Sequence, residues 1–303
     1  MNASSPRNLF ITLFSILVGC QPSFENESGV SLELAQYRKQ VISEIAYSLT
    51  LFVPEDENKT IPATLATTFT LAKNKIDLPM DFRENPDRLL SLQVNGNEAE
   101  MRWENEHLIL PKKMLTVGQN MVEVSFTAGE TSLNRNPDYL YTLFVPDRAR
   151  TAFPLFDQPD LKAEFALKLE IPSHWNAISN GPMVSQVEHD STKTWQFAAT
   201  KPISSYLFSF VAGDFETITR TIDGREMTLL HRETDQEKVD QNLDDIFQLH
   251  AFSLNWMEEY TGIGYPFQKF DFALIPAFQY GGMEHVGAIQ YRASSLFLDE
   301  SPS

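Results

Sequence analysis

Between residues 41 and 230 the hydrophobic pattern never sustains a helical period, and this constrains the fold more than any other feature of the chain. The apolar residues fall instead into short runs bounded by turn residues: EIAYSLTLFV, IPATLATTFTLA, RLLSLQV, HLIL, NMVEVSFTA, AEFALKLEI, TWQFAA, YLFSFVAGDF and MTLLH. Asn95 and Gly96, between two of the strand-like segments, form the dipeptide that a two-residue hairpin turn favours. So many consecutive strands without intervening helices predict antiparallel sheets arranged as a sandwich or saddle.

The period changes at Thr234. Thr234 and Glu237 fit a capping box, and Val239, Leu243, Ile246, Phe247, Leu254 and Met257 then recur at helical spacing. Gly262 supplies a stop, giving a helix of roughly 25 residues with acidic side chains near its start. A strand over 269–275, a Gly281-Gly282 turn and an extended VGAIQYR follow. This predicts a mainly β domain over 37–229 and, over 230–303, the opening of an α+β domain. That opening leaves much of the helix's apolar face without a partner.

Composition narrows the class. With 42% hydrophobic and 12% aromatic residues the 303-residue chain is globular, and its length suits about two domains of the usual ~150 residues. A formal charge of −17 would repel phosphate backbones, so nucleic acid is not an expected partner. The single cysteine excludes an internal disulfide and any site built on several thiolates. It stands at position 20, after Arg7 and an apolar run over 9–18 that is too short to span a bilayer. Leu17-Val18-Gly19-Cys20 resembles the bacterial lipoprotein box. The resemblance implies a signal peptide over 1–20, a lipid on Cys20, a polar tether over 21–36 and a place on the cell envelope, at the outer membrane because Gln21 is not aspartate.

Complete catalytic constellations are absent from the sequence. No His-Glu-x-x-His places two imidazoles on one helical face, no Gly-x-Ser-x-Gly elbow presents a nucleophile, and no phosphate-binding loop or dinucleotide fingerprint occurs. His107, His174, His189, His231, His250 and His285 are scattered, and His250, beside the helical stripe, reads as a structural histidine.

Two segments carry a specific pattern. RARTAFPLFDQPDLKAEF, residues 148–165, is similar to the Arg-x-x-Phe-Pro-x-x-Asp-x-Pro-Asp-x-Lys-Ala-x-Phe signature of the zinc aminopeptidase N family, and YPFQKFDFALIPAFQYGGMEHVGAIQYR, residues 265–292, resembles that family's exopeptidase stretch. They stand in the family's order and near its spacing, and the resemblance extends over nearly all of the chain from about residue 40. It implies a zinc metallo-aminopeptidase with peptide substrates, in which residues 230–303 begin a thermolysin-like α+β catalytic domain. In it, Gly281, Gly282 and Met283 form a substrate-binding edge, and Glu284 receives the substrate's free α-ammonium. An extended glycine segment suits that task, because its backbone groups are unhindered and another strand can approach closely. In the first motif Asp157, Pro159 and Asp160 are expected to form a turn, Arg150 to pair with a carboxylate, and Phe153 and Phe156 to lie in the core.

The chain departs from the family at His285, where an asparagine is usual, and at Leu143 and Val145, where polar groups are expected. The family's zinc helix, third ligand and intermediate-stabilising tyrosine follow the Gly-x-Met-Glu motif, and the sequence given stops at Ser303 before reaching them. The 303 residues alone are therefore expected to hold no zinc and to hydrolyse no peptide. The rival expectation is a non-catalytic, lipid-anchored module that uses the same edge to bind peptides.

Overall fold

The computed structural model describes residues 27–299; the expected signal peptide and Cys20 lie outside the described residues. The largest sheet has eight strands, in the spatial order Met183–Glu188, Thr192–Phe197, Ala163–Pro172, Ile42–Phe52, Pro62–Leu71, Gly118–Thr127, Leu89–Val94 and Asn97–Glu98. Its pairs are antiparallel except one, Ile42–Phe52 beside Ala163–Pro172. Alternation explains why these segments are strands: along Pro62–Leu71 the residues Ala63, Leu65, Thr67, Phe69 and Leu71 point inward and their neighbours outward. Asn95 and Gly96 both adopt positive φ, 52° and 75°, and set Val94 opposite Asn97 in the expected hairpin. Two three-stranded sheets help cover the buried face, and Phe69, Phe82, Phe126, Phe144, Phe156 and Phe208 fill the space between.

The second lobe is a five-stranded sheet in the order Glu216–Ile222, Arg225–His231, Asp271–Ile275, Ala288–Arg292 and Gly282–Met283. Its first hairpin corrects the boundary expected at 230. Residues 216–231 read as more of the β-domain because their alternation is the same. Yet Leu229 and Leu230 pair in parallel with Phe272 and Ala273, which assigns the hairpin to the second sheet.

Helix α2, Gln236–Thr261, packs Val239, Leu243, Ile246, Phe247 and Ala251 into a cluster with Leu229, Phe272 and Leu274. Its N-cap is Asp235 rather than Thr234: the Asp235 carboxylate accepts the amides of Glu237 and Lys238, which a charged oxygen does at least as well as a hydroxyl. Gly262 ends the helix in the left-handed region at φ 68°. His250 is structural, stacked on Phe272 at 4.3 Å with its ring nitrogens 2.7 Å from the Ile246 carbonyl and 3.1 Å from the Tyr291 hydroxyl. The opposite face of α2 leaves Leu249, Phe252, Trp256 and Tyr260 exposed, the last two stacked 5.0 Å apart.

The tether expected over 21–36 gives way at Leu32 to helix α1, Leu32–Val41, capped by the Ser31 hydroxyl. Its sequence is polar enough to read as a linker. It is ordered because Leu34, Tyr37, Arg38 and Val41 are buried against the β-domain, a tertiary effect that periodicity does not report. Among the described residues no helix is long and apolar enough to cross a membrane.

Candidate functional site

The two motifs occupy opposite environments. In the first, Phe153 and Phe156 are core side chains, and the amide of Leu161 closes a turn onto Gln158 in the segment that carries Pro159 and Asp160. Arg150 pairs through its guanidinium with Asp147 at 2.6 Å, while its backbone amide donates to Asp157. Asp157 also accepts the Ser205 hydroxyl at 2.6 Å, and its own amide donates to Asp81. Asp81 is the hub: Arg38 reaches it from α1 with two donors, at 2.6 and 2.9 Å, and His107 Nε2 lies 3.1 Å away.

Asp81 and Asp157 are almost fully buried, so the protonation of each is decided by what replaces its water. Burial works against the Asp81 carboxylate, but the Arg38 charge, the adjacent His107 ring and the Arg38 hydrogen bonds outweigh it and hold the carboxyl down at about 2. Asp157 lacks such a full cationic partner. Burial dominates there, the Asp81 charge adds to it, and the bonds from Ser205 and Arg150 only partly offset both, so its carboxyl is pushed up to about 6. This cluster pins α1 and the signature segment to one another and presents no open face.

The second motif lies at an outer edge. Gly282–Met283 is the last strand of its sheet and pairs antiparallel with Ala288–Arg292 on one side only. The Arg292 amide donates to the Gly281 carbonyl at 3.0 Å, so residues 281 and 292 form a hydrogen-bonded pair. Alternation then makes Gly282 and Tyr291 a non-bonded pair, and the N–H and C=O of Gly282 face off the sheet. Side chains approach most closely in such pairs, and a Cβ built on Gly282 would stand 2.9 Å from the Tyr291 ring. Gly282 is thus required by its own neighbour as well as available to a ligand. Gly281 has nothing within 4 Å of the same construction.

Glu284 follows, exposed, at the end of this edge. Met283 is buried in a cluster with Leu143, Tyr141, Phe278, Ile178 and Ala288, and Val145 packs against it. The two apolar departures in the 141–146 run therefore belong to the wall behind the motif. Arg292 fixes the preceding loop by donating to the carbonyls of Phe278 and Gln279 at 3.0 Å each. Asn180 ties the following turn to the β-domain, donating to the Val286 carbonyl at 2.7 Å. Sequence reasoning missed Asn180, Tyr291 and Arg292. The last two lie in the quoted stretch, but nothing in the sequence points to Asn180. His285 is wholly buried with neither ring nitrogen bonded, and burial pushes its imidazole down to about 3, so it is neutral at physiological pH. Among the described residues no three His, Cys, Asp or Glu side chains stand together as a metal-binding group, so these residues do not fit a zinc site.

The architecture, a β-lobe followed by a helix-backed sheet with a glycine-rich free edge, agrees with what the chain is similar to. Residues 104–207 match the Peptidase M1 N-terminal domain and residues 247–303 the Peptidase family M1 domain. The chain is 28% identical over 286 residues to aminopeptidase N of Streptomyces lividans, with 89% of this chain and 32% of that protein covered. It is 37% identical over 164 residues to endoplasmic reticulum aminopeptidase 1 of Mus musculus, covering 54% of this chain and 17% of the relative. Against the puromycin-sensitive aminopeptidase of Caenorhabditis elegans the identity is 35% over 161 residues, covering 52% and 17%. The two matched stretches are consecutive domains of one family, Peptidase M1. The chain belongs to the M1 aminopeptidase N family, as its N-terminal portion, and spans less than a third of the length of the curated relatives named here.

Proposed function

We propose that this chain supplies the substrate-binding edge of a zinc metallo-aminopeptidase that removes N-terminal residues from peptides. One observation carries the reading: the backbone N–H and C=O of Gly282 face off a free strand edge, and that edge ends in the exposed carboxylate of Glu284. An extended peptide adds to the edge through Gly282, and its α-ammonium pairs with Glu284. Only the first residue of a chain carries that ammonium, so the pair sets the register at the N-terminus. Met283 and Leu143 form the apolar support under the edge. The metal that the family implies would supply Lewis acidity and an activated water when bound; among the described residues no side-chain group fits it. The 303 residues by themselves are accordingly expected to bind peptides without cleaving them.

The test begins with the gene. An in-frame His-Glu-x-x-His within a few tens of codons after 303 supports the reading, and a stop codon in that interval overturns the enzymatic part of it. In the protein made from the complete reading frame, Glu284→Gln is expected to lower kcat/KM for an aminoacyl-naphthylamide about tenfold or more, the scale of a lost charge-assisted hydrogen bond. An unchanged kcat/KM overturns the role of Glu284. We further propose that Cys20 carries a lipid that holds the protein at the bacterial cell envelope, at the outer membrane. Cys20→Ser should then move the protein from the detergent phase to the aqueous phase on partition, and retention in the detergent phase would refute it.

A further inference from the structure

The second sheet has a free edge segment at its other end as well, and it opens into the cleft between the lobes. The cleft has a volume of about 740 Å³, within the range of roughly 300–1,000 Å³ common for sites that hold ligands, and none of residues 281–284 lines it. Strand Arg225–His231 joins its neighbour Glu216–Ile222 through a two-residue turn, Asp223-Gly224, with φ of 53° and 76°. Such a turn makes Ile222 and Arg225 a hydrogen-bonded pair, so Glu226 and Thr228 direct their backbone groups to the other side. Thr228 shows the alternation, because its amide donates to Asp271 Oδ1 at 2.9 Å. Parallel pairing with Asp271–Ile275 begins only at Leu229. The N–H and C=O of Glu226 therefore face the cleft with no strand beside them.

The walls around this segment are aromatic and selectively charged. Trp195 and Phe197, stacked at 6.0 Å, come from the β-lobe, and Tyr265, Phe267 and Phe270 from the second lobe. Both cations in the lining are already matched, Arg225 with Glu258 at 3.0 Å and Lys269 with Asp271 at 2.6 Å. Glu226 is exposed and, among the described residues, lies in no ion pair, so it is the carboxylate left for a ligand, on a chain whose formal charge of −17 already attracts cations.

We propose that this cleft is a second peptide-binding site, separate from the Gly-Gly-Met-Glu edge. It takes an extended segment whose backbone adds to Glu226, whose apolar or aromatic side chain lies against the Trp195 and Phe197 wall, and whose lysine or arginine pairs with Glu226. The backbone edge selects a peptide over a small cation, and the unpaired carboxylate selects a basic peptide over an acidic one. This inference stands on the cleft alone and does not depend on aminopeptidase activity.

The test uses the full chain and a fluorescein-labelled peptide that is N-acetylated and C-amidated, with one lysine between leucine and phenylalanine. Acetylation removes the ammonium that Glu284 would hold, so binding at the other edge does not mask the result. Saturable anisotropy is expected, and Glu226→Lys should weaken it about three- to fivefold, the scale of an exposed charge pair. Replacing the peptide's lysine by glutamate should cost a similar factor, and Glu284→Gln should change nothing. Glu226 is exposed and unpaired, so its variant folds normally, and a matching circular dichroism melt verifies that. Absence of saturable binding, binding indifferent to Glu226→Lys, or binding abolished by Glu284→Gln each overturns the proposal.

Discussion

The two motifs that carry the family resemblance are similarly specific as sequence, yet the structure treats them in contrary ways. The 148–165 segment turns Asp157 inward, where it accepts the Ser205 hydroxyl and the Arg150 amide and its own amide donates to Asp81, a carboxylate from outside the segment that Arg38 bonds twice. The 281–284 segment keeps its capacity unspent, with Gly282 facing outward and Glu284 exposed. A carboxylate that is buried and satisfied stabilises a fold, and one that is exposed beside unpaired backbone is available to a ligand. Burial and remaining valence, more than the quality of the motif match, separate architecture from binding.

The most forceful way to break that contrast is Asp81→Ala. It leaves the Arg38 guanidinium, fully buried, without its carboxylate. Removing one partner of a buried pair costs about 3–5 kcal/mol, because the other charge stays desolvated. A urea unfolding curve should show that loss, with α1 detaching first. A loss under about 1 kcal/mol would mean that the cluster is not what pins the helix.

A smaller effect tests the edge. Gly282→Ala puts a methyl 2.9 Å from the Tyr291 ring and should destabilise by about 1–3 kcal/mol, while Gly281→Ala, with open space around it, should be near neutral. Combining Gly282→Ala with Tyr291→Ala should recover part of the loss, measured as a coupling in a double-mutant cycle. Strict additivity would show that the ring is not the obstacle.

The pH dependence of stability sharpens the buried half. Asp157 is pushed up to about 6 from the ordinary 3.8, so between these values the native state holds a proton that the unfolded chain releases. Its contribution to stability is present below about pH 4 and is lost as pH rises through 6. Asp81, held down at about 2, contributes above about pH 4 and loses that contribution as pH falls through 2. Asp157→Asn should therefore gain on the wild type as the pH rises from about 4.5 to 7, read from urea midpoints at the two values. A constant difference between the two proteins would show that Asp157 does not titrate in this window.

Much of this was legible in the sequence, and the reason is local. Alternation exposes strands such as Pro62–Leu71, Asn95-Gly96 declares its turn, and the stripe from Val239 to Gly262 declares its helix, because each is decided by neighbours within a few residues. The buried cluster was not legible. Arg38 and Asp81 are 43 residues apart, and a polar side chain that becomes core leaves no apolar signature. Helix α1 was hidden for the same reason. Of the hairpin at 216–231 only the strand around 227–231 was visible, and its place in the second sheet was not, since only long-range register assigns it. At the candidate site the Gly-Gly-Met-Glu residues were legible through the resemblance, whereas Asn180, which anchors the turn after them from across the lobe boundary, carries no pattern of its own.

The smallest expected change is the most discriminating. Glu284→Gln should leave the unfolding midpoint where it is, because the side chain is exposed and no described ion pair holds it. The same substitution should abolish the proposed preference for a peptide with a free N-terminus over its acetylated form, since a neutral amide offers the ammonium no counter-charge. Isothermal titration with the two peptides measures this directly. A residue that moves binding without moving stability lies on the unspent side of the contrast. If the midpoint falls instead and the preference survives, Glu284 belongs with Asp81 and Asp157 as architecture, and the edge selects its ligand through the backbone of Gly282 alone.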